Sequence, residues 1–77
     1  MNKLKKLMAK VLQIKPTDIS DEFSRETQEE WDSFSHLLLI SEIEKELGIN
    51  FSIKEIEDIK TFKDIVKIAA DKKVKNG

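Results

Sequence analysis

Trp31-Asp32-Ser33-Phe34-Ser35-His36-Leu37-Leu38-Leu39-Ile40-Ser41-Glu42-Ile43-Glu44-Lys45-Glu46-Leu47-Gly48 is the stretch from which the architecture follows. From Ser33 to Leu47 the apolar residues Phe34, Leu37, Leu38, Leu39, Ile40, Ile43 and Leu47 outline a wide helical face, without the strict alternation of a half-buried strand. Gly48 falls where a left-handed residue closes a helix, a conformation glycine adopts without steric cost. The stretch therefore reads as a central helix. Asp32 and Ser33 both stand at its start, and either side chain is suited to accept a hydrogen bond from the free amides of the first turn.

Toward the N-terminus, Leu4, Leu7, Met8, Val11 and Leu12 recur at helical spacing, and Pro16 hinders continuation. An amphipathic helix ending near Lys15 is expected. Between Pro16 and Asp32 the periodicity fails, but Ile19, Phe23 and Trp31 are spaced apolar anchors that pin a long loop onto a helical core. Toward the C-terminus, Ser52-Ile53-Lys54-Glu55 and Thr61-Phe62-Lys63-Asp64 each pair a hydroxyl with a carboxylate three residues on, the pattern that caps a helix start. Ser41 and Glu44 share that spacing inside the central helix, so the pattern carries weight only at a break in periodicity. The breaks predict a short helix over 53–57 and a final helix over 62–72, its apolar side made by Phe62, Ile65, Val66, Ile68 and Ala69. The fold class is all-α: a small four-helix bundle of three longer helices and one short third helix, with a long loop between the first two, forming a single domain over residues 1–77. Phe34, Leu37, Ile40, Ile43, Leu47, Phe51, Ile56, Ile59, Phe62 and Ile65 are its expected core.

Composition narrows the function. A chain of 77 residues, 39% hydrophobic and 38% charged, is too apolar for an acidic tail and too interrupted by charge for a membrane span. Fourteen basic against fifteen acidic residues argue against a nucleic-acid partner. The balance is uneven along the chain: every charged residue before Asp18 is a lysine, whereas Asp18 to Asp32 holds seven carboxylates and only Arg25 opposing them. Cysteine is absent, which excludes disulfides, thiolate metal sites and a cysteine nucleophile. Lys10 interrupts the N-terminal apolar run and no small-residue cleavage site follows, so a cytoplasmic location is expected rather than secretion. No nucleophile-base pair or metal-ligand cluster stands out, so neither catalytic nor metal-binding residues are assigned.

With Glu30-Trp31-Asp32-Ser33-Phe34 at the start of the central helix, Leu47-Gly48-Ile49-Asn50-Phe51 at its exit, and Ile56, Ile59, Thr61, Asp64 and Ile65 following without a gap, the chain resembles an acyl carrier protein over almost its whole length. The family's signature is Asp-Ser-Leu at the start of its second helix. The resemblance implies that Ser33 carries 4'-phosphopantetheine, donated from coenzyme A by a phosphopantetheinyl transferase, with Asp32 flanking it. It implies a carrier rather than an enzyme, which holds an acyl or aminoacyl cargo as a thioester and presents it to acyl-loading and acyl-transferring partners. The thiol that the chain lacks is then supplied by the group. A serine at a helix start is chemically apt, because free amides and the positive end of the helix dipole tolerate a phosphodiester.

Departures from the family pattern concern partners. Phe34 replaces the signature leucine, Leu38 stands where many fatty-acid carriers have an acidic residue, and Lys45 interrupts Glu42, Glu44 and Glu46. The near-neutral chain looks like a monomeric carrier from a specialised biosynthetic pathway, with fatty-acid synthesis the other possibility. Partner-binding residues are expected at Trp31, Phe34, Leu38 and Glu42, although Trp31 also suits a loop anchor. His36, one turn after Ser33, reads as a solvent-facing helix residue. Two other readings compete: a helical interaction module that lacks the prosthetic group, with Trp31, Phe34 and Leu38 as its patch, and a basic first helix resting on anionic membrane through Leu4, Leu7, Met8 and Val11.

Overall fold

In a computed structural model that describes residues 2–76, with side-chain surroundings for 3–72, the first helix, α1 (Asn2–Leu12), stops short of the expected end near Lys15. Gln13 is left-handed, with φ 59°, and the Ile14 amide donates back to the Ala9 carbonyl at 3.0 Å, the bond that closes a helix C-terminus. Ile14 then packs against the core, so the turn ahead of Pro16 ends the helix. Pro16 opens a short 3-10 turn (Pro16–Asp18) instead. A left-handed residue other than glycine costs about 1–2 kcal/mol, partly offset in glycine by its larger entropy loss. Gln13→Gly is thus expected to raise the unfolding free energy by about 0.5–1 kcal/mol, read as a higher urea midpoint at unchanged slope.

The other helices are α2 (Ser33–Leu47), α3 (Ile53–Asp58) and α4 (Phe62–Asn76). Their starts and the end of α2 follow the sequence signals, whereas α4 runs to Asn76, four residues past the expected end at 72. The Asp32 carboxylate accepts from the Ser35 amide at 2.8 Å, and Gly48, at φ 66°, closes α2 as its amide and that of Ile49 converge on the Glu44 carbonyl. Before α3, Ser52 and Glu55 exchange the two bonds of a capping box, at 3.1 and 2.8 Å. Before α4, Thr61 Oγ1 accepts from the Asp64 amide, and the Asp64 carboxylate accepts from the amides of Lys60 and Thr61. Among the described residues no strand forms, only an isolated bridge between Ser24 and Thr61. Met1 and Gly77, the ends of the expected domain, lie outside the described residues.

Packing corrects the expected core of α2. Leu39, Ile40 and Ile43 are buried, with His36 among them at 3% exposure, whereas Phe34 is 76% and Leu37 60% exposed. At 3.6 residues per turn, His36, Ile40, Ile43 and Leu47 share one face, and Phe34, Leu37, Leu38 and Ser41 share the opposite one. Both faces are rich in apolar residues, so periodicity alone does not choose the inward one. On α1, Leu4, Met8, Ala9 and Leu12 are buried and α1 packs against α2. The apolar face that a membrane reading of α1 needs is therefore occupied by the core, and among the described residues no helix is long and apolar enough to cross a membrane.

The long loop is held more firmly than its three anchors foretell. Ile19, Phe23 and Trp31 are buried as expected. In addition, the Arg25 amide donates to the Lys60 carbonyl at 2.8 Å and the amides of Phe62 and Lys63 donate to the carbonyls of Phe23 and Asp21, both at 3.0 Å. Arg25 also donates from its guanidinium to the Ile59 carbonyl at 2.9 Å. The loop is thereby stitched to the α3–α4 connection, which places α3 beside the start of α2.

Candidate functional site

Ser33 is the first residue of α2 and is exposed. Asp32 holds the cap, so the helix start does not need the serine hydroxyl, and no hydrogen bond engages that hydroxyl among the described residues. Two other serines are committed, Ser24 Oγ accepting from the Glu26 amide and Ser52 Oγ from the Glu55 amide, whereas Ser20 and Ser41 are exposed like Ser33 but do not stand at a helix start. The two candidates for the cap thus separate by role, with the carboxylate closing the helix and the neighbouring hydroxyl left available to an incoming reagent. Ser33 lies between two open clefts. One is bordered by Arg25, Trp31, Asp32 and Lys60, and the other, against α3, by Arg25, His36, Leu37, Ile56 and Glu57.

Behind Ser33 the scaffold is buried and hydrogen-bonded. Trp31 is 1% exposed and stacks on Phe23 with ring centroids 5.9 Å apart. Its indole Nε1–H donates to His36 Nδ1 at 2.9 Å. The other ring nitrogen of His36 lies 2.8 Å from the Ile56 carbonyl of α3. Because Nδ1 accepts, Nε2 carries the proton and donates to Ile56, which fixes the neutral tautomer. These contacts correct one expectation and decide between two others: His36 is a core residue rather than a solvent-facing one, and of the two roles expected of Trp31 the loop anchor holds and the exposed partner contact does not. An indole donor buried without an acceptor is costly, and a histidine five residues downstream was the available signal for this pairing.

Residues 2–68 match the family model described as phosphopantetheine attachment site. The chain belongs to this family. It is a phosphopantetheine carrier protein, and such proteins are carriers of a 4'-phosphopantetheine prosthetic group rather than catalysts. Its fold is similar to that of the holo acyl carrier protein of Geobacter metallireducens, solved in solution by NMR, with a TM-score of 0.85 at 24% identity, over 96% of this chain and 85% of that one. A search of curated proteins returned no match.

The outer face of α2 in this carrier is apolar. Phe34, Leu37 and Leu38 are exposed at 76, 60 and 42%, and Ile53 at the start of α3 at 77%. The acidic residues of α2 are meanwhile engaged within the chain. Glu44 accepts from the Phe51 amide at 2.8 Å, Glu46 pairs with Lys3 of α1 at 3.1 Å, and Glu42 lies 3.7 Å from Lys45. Glu55 accepts from Lys72 at 2.8 Å, joining α3 to α4.

Acid should loosen the carrier in two stages. Burial draws the His36 pKa below the ordinary 6.5, the Arg25 charge adds to this, and the bond to Ile56 opposes it. An unfolded chain then takes up the proton first, so the His36 contribution is complete above 6.5 and is lost as pH falls through the lower folded value. Hydrogen bonds, chiefly from the Ser35 amide, hold Asp32 below 3.8, and the bond from Lys72 holds Glu55 below 4.5. Their contributions are complete above those values and vanish as pH falls through the folded ones. The urea midpoint is expected to be level above neutrality and to decline in two steps on acidification, the first step absent in His36→Gln.

Proposed function

We propose that Ser33 is the attachment residue for 4'-phosphopantetheine, with Asp32 flanking it, and that the protein holds an acyl or aminoacyl group as a thioester and delivers it to partner enzymes. The observation that carries this reading is an exposed, unbonded hydroxyl at the first position of a helix whose cap is supplied by the preceding residue. The free amides of that helix start suit the phosphodiester, and the cleft beside them carries both signs of charge, Arg25 and Lys60 against Glu26, Asp32 and Glu57. Once attached, the group supplies the thiol that the cysteine-free chain lacks. Ser33 bears the linkage, Asp32 keeps its backbone in place, and the Trp31–His36 pair holds the loop behind it.

Partner enzymes dock on the outer face of α2, over Phe34, Leu38 and Glu42. With Glu44 and Glu46 engaged inside the chain, docking draws more on apolar burial than on a row of free carboxylates. This supports a role in a specialised biosynthetic pathway ahead of general fatty-acid synthesis, with the chain acting as a single monomeric domain in the cytoplasm. The test is intact mass spectrometry of the purified protein, before and after incubation with coenzyme A and a broad-specificity phosphopantetheinyl transferase, followed by fragmentation. One phosphopantetheinyl addition mapped to Ser33 is the expected result. Addition at another residue, or none to a folded protein across several transferases, would overturn the assignment and leave a helical interaction module.

A further inference from the structure

The chain contains one tryptophan and one histidine, and they are bonded to each other beside Ser33. Trp31 ends the loop two residues before Ser33, His36 lies on the inward face of α2, and Ile56 belongs to α3. One imidazole therefore ties α2 both to the loop end, five residues back along the chain, and to α3, twenty residues on. Both of its bonds require the same protonation state. Nδ1 must be bare to accept from the indole, and Nε2 must be protonated to donate to the carbonyl.

We propose that His36 is a positioning residue of this carrier: it ties the Trp31–Ser33 segment to α3, and a proton on Nδ1 unties them. With Nδ1 protonated, the indole N–H and the imidazolium N–H are donors facing each other, and no rotation of the ring restores both bonds. The indole must move, and Ser33 and α3 lose their common anchor. The crevice between them, bordered by Leu37 and Ile56, then widens beside the attachment residue.

The charged groups facing His36 are few. The loop contributes Arg25, which opposes the proton and is held by the Ile59 carbonyl. From α3, Glu57 borders the same crevice and favours the proton. On α2 itself, Asp32 sits one turn earlier with its carboxylate turned to Ser35. Neither α1 nor α4 adds a charged side chain to that crevice. Burial and the Arg25 charge oppose the proton and the bond to Ile56 favours it, so the groups that govern this latch all lie within this one corner of the fold.

The proposal rests on the Ser33 reading for its consequence, so the experiment reads the latch separately from modification. In an NMR titration of the full chain, the single imidazole, the Trp31 indole N–H and the amides of Ser33 and Ile56 are expected to shift with one midpoint below 6.5. Amides of Met8, Ile65 and Ala69 should stay unmoved through that transition. Trp31→Phe keeps an aromatic ring against Phe23 but removes the donor, so the imidazole midpoint should rise. In His36→Gln the acid shift at Trp31 should disappear. In a second arm, wild type and His36→Gln compete for the transferase in one tube, which cancels the enzyme's own pH dependence. The ratio of modified wild type to variant is expected to fall at least about threefold between about one pH unit above and about one unit below the imidazole midpoint found in the titration. Shifts at all sites together, an unmoved midpoint in Trp31→Phe, or a pH-independent ratio would each overturn the proposal. Absence of modification in both proteins would overturn the Ser33 reading alone, with the titration still deciding the latch.

Discussion

Ser33→Ala is expected to abolish phosphopantetheine addition completely while leaving the fold and its stability unchanged. The linkage is a bond between phosphorus and the serine oxygen, so removing the oxygen removes the bond, and the loss in intact mass should be all or none. Stability should hold because the hydroxyl makes no hydrogen bond and Ser33 is exposed, and because alanine is the better helix former. A change within about 0.5 kcal/mol is expected, as for surface positions generally. Had Ser33 been the cap, the same substitution would cost about 1 kcal/mol. Urea unfolding of the variant therefore separates the two roles that the sequence left together: an unmoved midpoint places capping on Asp32, and a lowered one places it on Ser33.

Trp31→Ala, two residues away, should have the opposite profile. Trp31 is fully buried, stacks on Phe23 and donates to His36. Removing a large buried aromatic costs about 3–5 kcal/mol, and the bare His36 Nδ1 adds a further penalty as a buried acceptor without a donor. A chain of this length is stable by on the order of 4–12 kcal/mol, so the substitution consumes a large part of the total and brings the protein close to unfolding at ambient temperature. The check is the urea midpoint, with Phe34→Ala alongside. Phe34 is a large aromatic of the same region but 76% exposed, and its loss should move the midpoint by no more than about 0.5 kcal/mol. Equal effects at the two positions would refute the assignment of inward and outward faces.

Local signals were legible wherever a helix end is specified by its own residues. Asp32, Gly48, the Ser52–Glu55 pair and the Thr61–Asp64 pair each act over a few residues of chain, and each could be read without knowing the rest of the fold. The loop anchors Ile19, Phe23 and Trp31 were legible for a related reason: isolated large apolar residues in an otherwise polar stretch have little alternative to burial. The attachment segment was legible because Asp32-Ser33 stands at the junction between that loop and the central helix.

Other features were hidden because they depend on what lies across the fold. The end of α1 depends on Ile14 reaching the core, a contact that the position of Pro16 does not announce. On α2, one side carries Leu39, Ile40 and Ile43 and the other Phe34, Leu37 and Leu38, so hydrophobicity is nearly balanced, and the polar His36 argued for the wrong side. The Glu44 carboxylate looked like part of a solvated acidic face but bonds the Phe51 amide in the turn after the helix. None of these choices is encoded in spacing within a single element.

By itself, then, the sequence determined four helices, their caps, a pinned acidic loop and a serine at the start of the central helix, because those features arise from backbone amides and side chains close together along the chain. The tertiary structure alone decided which face of α2 turns inward, that His36 is neutral and buried between Trp31 and α3, and that Phe34, Leu37 and Leu38 stand on the outer face. Those outcomes are set by which donors, acceptors and apolar surfaces the other helices present, and a buried polar side chain is tolerated only where partners from distant parts of the chain satisfy it.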